Sequence, residues 1–99
     1  MGIEYLDGAP TLDTKDLRYF VAVYETRGFA RASTRLNTVQ SNVSARIKKL
    51  EHSLGVKLFV RGIRGIEPTE KGKKLYAYAI DVLAAIEQME AAMKVDDAA

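Results

Sequence analysis

The 99-residue sequence contains no cysteine and no tryptophan, two prolines, and a single histidine, His52. Without cysteine there is no disulfide framework, no thiolate zinc site and no cysteine nucleophile. One histidine cannot build a histidine-based metal cluster. A Ser-His-Asp triad would have to recruit His52, which lies in a lysine-rich helical stretch, and no Gly-x-Ser-x-Gly elbow accompanies it. No apolar run approaches the roughly 18–20 residues of a membrane span, and the first residues lack the charge-then-apolar pattern of a secretion signal. These absences point to a soluble protein of a reducing cytoplasm, with no cofactor, no metal and no membrane partner. They also point away from an enzyme.

What remains is ordinary for a globular chain: 47% hydrophobic and 28% charged residues. The length suits one domain, which buries about 60–65% of its unfolded surface and has little stability to spare. The net charge of +2 conceals a partition. Residues 1–30 carry three basic and five acidic side chains, residues 31–74 eleven basic and three acidic, and residues 75–99 one basic and five acidic. A basic middle between acidic ends suits a polyanion whose counterions it can displace. A solvated lysine face would look the same on charge alone.

Residues 1–12, with Gly2, Gly8 and Pro10 and no period, read as a disordered arm, and residues 96–99 as a disordered tail. A first helix starts near Asp13 or Thr14, either of which can cap it, and Leu17, Phe20, Val21 and Tyr24 form its apolar face. Arg27-Gly28 ends it. A short second helix runs from Phe29 or Ala30 to Leu36, with Ala30, Ala32 and Ser33 small enough for close approach. After the turn Asn37-Thr38-Val39, a third helix spans about Gln40 to Leu54, apolar at Val43, Ile47, Leu50 and Leu54. Ser41, Ala45, Lys48, Lys49 and His52 point the opposite way, with Asn42 beside them. Gly55 closes this helix.

Leu58-Phe59-Val60 and Ile66-Glu67 then read as two short strands around a basic loop, Arg61 to Gly65. Thr69 caps a long last helix from about Glu70 to Met93, whose Leu75, Ala79, Val82, Ile86, Met89 and Met93 form a near-heptad seam. The fold class expected is mainly α. A winged helix-turn-helix of three helices and a two-stranded wing occupies residues 13–68, and a linker helix occupies 69–95.

The start of a second helix in such a pair enters the major groove, where slender polar side chains fit. Gln40, Ser41, Asn42, Ser44 and Ala45 are the expected base contacts. Gln and Asn can bond two adenine edge atoms at once, and Ala45 can meet a thymine methyl group. In an arbitrary protein Gln40, Ser41 and Asn42 would simply cap a helix. Arg31, Arg35, Lys48 and Lys49 suit phosphates, which position without reading sequence. Arg61 and Arg64 on the hairpin suit a neighbouring minor groove or backbone. His52 reads as a favourable charge at a helix C-terminus. The first seam residues, Leu75 and Ala79, belong on their own domain. Val82, Ile86, Met89 and Met93 are expected to pair with a second copy, giving a homodimer on a pseudo-palindromic site in double-stranded DNA.

Asp16-Leu17-Arg18-Tyr19-Phe20-Val21-Ala22-Val23, Gly28-Phe29-Ala30-Arg31-Ala32-Ser33 and Val39-Gln40-Ser41-Asn42-Val43-Ser44 resemble the N-terminal domain of LysR-type transcriptional regulators. So do Ile47-Lys48-Lys49-Leu50-Glu51, the run Leu54 to Arg61, and Thr69-Glu70-Lys71-Gly72. The similarity covers residues 13–93. It implies a bacterial DNA-binding regulator acting at the nucleoid, dimerised through its linker helix, whose full-length form carries a ligand-sensing domain. It also implies groove-facing roles for Gln40 and Ser44 and a wing role for Arg61. Three positions depart from the family pattern: Ser41 replaces a frequent proline, Ala45 a frequent arginine, and Val39 a usual hydroxyl, with Thr38 carrying one a place early for cap and phosphate.

Two alternatives compete with a sequence-specific reader. A short interaction module would pair with a full-length regulator through its last helix and bind DNA weakly by itself, leaving eleven basic middle residues without a use. A generic nucleoid protein would show no sequence preference once salt is raised.

Overall fold

The computed structural model describes residues 12–95. The expected N-terminal arm and tail otherwise lie outside that range. Leu12, the last residue assigned to the arm, packs against the core. Six elements follow in order: α1 (Thr14–Thr26), α2 (Phe29–Leu36), α3 (Gln40–Leu54), β1 (Phe59–Gly62), β2 (Gly65–Pro68) and α4 (Glu70–Lys94).

Local chemistry sets most boundaries. The Asp13 carboxylate accepts the Asp16 amide at 2.9 Å and the Asp16 carboxylate accepts the Asp13 amide at 3.0 Å, a reciprocal cap at the start of α1. Arg27 ends α1 with φ 58°, and Asn37 ends α2 with φ 56°. The Gly55 amide closes α3 on the Glu51 and His52 carbonyls. Thr69 accepts the Gly72 amide and starts α4.

α1 is the central helix, touching α2, α3 and α4. Its buried surface is therefore wider than one stripe: Tyr19, Ala22 and Val23 join Leu17 and Phe20, while Val21 and Tyr24 are only half-buried. α2 contributes Ala32 and Ser33, and Ala30 faces solvent. α3 contributes Val43, Ile47 and Leu50, with Leu54 left exposed at the helix end.

The hairpin is tighter than the sequence suggests. β1 and β2 pair antiparallel with Gly62 opposite Gly65, so only Ile63 and Arg64 form the turn. Arg61 is not in the loop but in β1, opposite Ile66. The reversal closes this early because Gly65 takes φ 109°, which a side chain would resist.

The first half of α4 belongs to the domain. Ala79 is buried, and Leu75, Tyr76 and Leu83 pack against the core. Gly72 is where α4 meets the strand entry: a Cβ there would lie 2.3 Å from the Leu58 carbonyl oxygen. Among the described residues no helix is long and apolar enough to cross a membrane.

Candidate nucleic-acid interface

With Val43, Ile47 and Leu50 drawn into the core, α3 turns Gln40, Ser41, Asn42, Ala45, Lys48 and Lys49 outward, and Ser44 is half-buried. The turn before it is held by its backbone. The Asn37 amide donates to the Thr34 carbonyl and the Thr38 amide to the Ser33 carbonyl. Val39 stands at the N-cap and offers no side-chain acceptor. The neighbouring Thr38 hydroxyl instead accepts a hydrogen bond from Asn42 Nδ2 at 2.9 Å.

Three shallow grooves surround the α3 N-terminus. One of about 350 Å³ separates α3 from the hairpin and is lined by Gln40, Ser44, Lys48 and Arg61 among others. A second, of about 310 Å³, brings Arg27, Arg31, Arg61 and Arg64 around Gln40. The third lies on the opposite flank, about 210 Å³, between Lys15 and Tyr19 of α1 and Asn42, Ala45, Arg46 and Lys49 of α3. Gln40 and Arg61 border both of the first two. Lys15 and Arg27 border these grooves with no motif or periodicity to mark them, Lys15 from the first turn of α1 and Arg27 from its end.

Hydrogen bonding separates the basic residues into two groups. Among the described residues Lys48, Lys49, Arg61 and Arg64 have no carboxylate partner. Arg31 donates from Nε to the Thr26 carbonyl at 2.8 Å and from Nη2 to the Arg27 carbonyl at 2.9 Å, satisfying the end of α1. Arg35 bonds Glu25 at 2.6 Å and lines none of the three grooves. Among the expected phosphate ligands Arg35 is the one that pairs with a carboxylate, Glu25 of α1.

Glu25 also accepts the Tyr76 hydroxyl at 2.6 Å, and the Tyr76 ring stacks on Tyr24 at 3.9 Å. The Tyr76 hydroxyl and then Arg35 hold the Glu25 carboxyl below its usual range, and Glu25 in turn raises the Tyr76 phenol above its own. The wing has a separate anchor. Glu51 Oε2 accepts the Leu58 amide at 2.8 Å and the Phe59 amide at 3.3 Å, fixing the root of β1 to α3.

Farther along α4, Val82 is 42% exposed, Met89 57% and Met93 77%, while Ile86 is half-buried. Tyr78 and Ile80 are exposed as well.

The model of the family described as "Bacterial regulatory helix-turn-helix protein, lysR family" matches residues 14–73. The chain is 41% identical over 83 residues to the probable cat1 operon transcriptional activator of Acinetobacter lwoffii, covering 84% of this chain and 27% of that protein. It is 40% identical over 78 residues to the transcriptional regulator BenM of Acinetobacter baylyi, covering 79% and 26%. It thus spans about a quarter of the length of these curated relatives. Among solved structures, the BenM DNA-binding domain in complex with benA site 1 DNA superposes with a TM-score of 0.80 at 38% identity, over 84% of this chain and 93% of that one. The CbnR DNA-binding domain in complex with DNA gives 0.79 at 31% identity, over 84% and 95%.

Proposed function

The chain belongs to the LysR family of bacterial regulatory helix-turn-helix proteins, and from its interface we propose that it is a sequence-specific reader of double-stranded DNA. One observation carries this reading: the outward face of α3 and the arginines of the wing share the same grooves, with Gln40 and Arg61 bordering two of them. Slender polar side chains at a helix start, flanked by cations without carboxylate partners, match what the major groove and its bordering phosphates require.

In this reading Gln40, Ser41, Asn42, Ser44 and Ala45 face base edges. Lys48 and Lys49 of α3 and Arg61 and Arg64 of the wing meet the backbone or an adjacent minor groove. Lys15 extends the phosphate surface on the far flank. Arg31 approaches phosphates only with what its carbonyl bonds leave free. Two copies pair through Val82, Ile86, Met89 and Met93, of which Val82, Met89 and Met93 are exposed and Ile86 is half-buried. A symmetric pair presents two α3 helices to an inverted repeat. The chain acts as the reading portion of a cytoplasmic transcriptional regulator and not as an enzyme.

Selection from a random duplex pool at two salt concentrations, followed by sequencing, tests this. Enrichment of an inverted repeat that persists at higher salt is the expected result. Retention that disappears with salt and enriches nothing would leave only charge-driven binding.

A further inference from the structure

We infer that Thr38 is a positioning residue for base reading, fixing the Asn42 carboxamide in one orientation while offering its own proton to a DNA phosphate. The inference rests on the DNA-reading function proposed above. It starts from the 2.9 Å hydrogen bond between Asn42 Nδ2 and Thr38 Oγ1.

An asparagine side chain carries an acceptor and two donors, and rotation by half a turn exchanges them. A free Asn42 at the start of α3 would offer either polarity to a base edge. The bond to Thr38 removes that freedom once the hydroxyl proton is given to a phosphate, because the Thr38 oxygen can then only accept and takes one N–H of the amide. Oδ1 and the second N–H remain, a neighbouring acceptor and donor that complement the N6 amino group and N7 of adenine. Asn42 itself is exposed, so this edge is open to a partner.

Thr38 is suited to the task because it is itself held. Its amide donates to the Ser33 carbonyl at 2.9 Å, and Asn37 before it closes α2 in a left-handed conformation. Val39 at the N-cap presents no competing side-chain oxygen. A hydroxyl that accepts one hydrogen bond keeps its own proton to donate. Beside a helix start at the groove edge, a phosphate oxygen is the acceptor that DNA supplies. Phosphate, Thr38, Asn42 and adenine then form one chain, so that backbone registration and base identity are sensed together.

The test compares wild type, Thr38→Val, Thr38→Ser, Asn42→Ala and the double variant Thr38→Val/Asn42→Ala, all as the full chain. Each is put through selection from a random duplex pool, then titrated against the wild-type consensus and its single-base variants at several salt concentrations. Asn42→Ala is expected to lose about tenfold preference at one adenine per half-site while keeping its salt dependence. Thr38→Val should lose preference at that same position and some affinity for the consensus, with the slope of log K against log salt unchanged, because a neutral hydroxyl displaces no counterion. Thr38→Ser should retain both, and the double variant should discriminate no worse than Asn42→Ala alone. A Thr38→Val protein with unchanged base preference, or with affinity lowered evenly on every sequence, overturns the inference. A wild type that enriches no motif overturns the DNA-reading function itself, and is recognised before any variant is scored.

Discussion

Arg46 and Asp16 form an ion pair between α3 and α1, Nη1 to Oδ1 at 2.8 Å, with the Asp16 side chain 1% exposed and the guanidinium lying over the Tyr19 ring at 4.9 Å. The same carboxylate caps the Asp13 amide, so one buried group both starts α1 and fixes the angle of α3. Arg46→Ala removes the countercharge and leaves a buried carboxylate behind. A loss of about 3 kcal/mol in urea unfolding is expected, since breaking such a pair costs far more than the pair contributes. An unchanged unfolding midpoint would show that the carboxylate finds water without Arg46.

Gly72 is required for a different reason. Alanine is the better helix former by about 1 kcal/mol, and on propensity alone Gly72→Ala would stabilise α4. Its methyl group would lie 2.3 Å from the Leu58 carbonyl oxygen and 3.2 Å from the carbonyl carbon, both backbone atoms that cannot rotate away. The predicted outcome is a net destabilisation of about 1–3 kcal/mol, typical of overpacking. A raised melting temperature would show that the strand entry can yield.

The Glu25–Tyr76 bond gives stability a dependence on pH at both extremes. The Glu25 carboxyl lies below its usual 4.5 in the folded protein, so its contribution is present above that value and lost as pH falls through the folded one. The Tyr76 phenol lies above its usual 10.0, so its contribution is present below that value and lost as pH rises through the folded one. Tyr76→Phe keeps a ring to stack on Tyr24 but removes the hydroxyl. Unfolding midpoints across pH should decline less for this variant on the alkaline side and, with Arg35 still paired to Glu25, partly less on the acid side.

Phosphate and base contacts separate by their response to salt. Arg61→Ala should weaken binding to all duplexes about equally and reduce the salt slope by about 0.9. Gln40→Ala should cost about 1–3 kcal/mol at particular base pairs and leave the slope unchanged. Fluorescence anisotropy on consensus and scrambled duplexes distinguishes them, and the reverse pattern would exchange the two roles.

Ile86→Asp places a charge in the half of α4 that the domain does not cover. Sedimentation should report a monomer while far-ultraviolet circular dichroism reports unchanged helix content. A dimer that survives the substitution would move the pairing surface elsewhere.

The helix boundaries were legible because caps are local: Asp13, Gly55 and Thr69 each act within a few residues of their own position. The outward face of α3 followed from helical periodicity for the same reason. What stayed hidden was long-range polar pairing. Asp16 and Arg46 are 30 residues apart, and Glu25 and Tyr76 are 51 apart. No spacing rule links such residues, because their approach is decided by how helices cross. The pairing of Arg35 with Glu25 is hidden for the same reason. The Asn42–Thr38 bond, although only four residues long, is no more legible, since only the turn geometry brings the two side chains together.

Beyond Tyr76, α4 continues for about 25 Å to Met93 at the usual helical rise. The stacked pair Tyr24–Tyr76, with its rings 4° from parallel, therefore begins the seat, continued by Ala79 and Leu83, from which the last turns of α4 project. Each degree of tilt about the start of that seat displaces Met93 by roughly 0.4 Å, and a five-degree error exceeds the width of a hydrogen-bond well. The two flat rings, with Ala79 and Leu83 beyond them, thus act as the bearing that sets where the far end of α4 comes to rest.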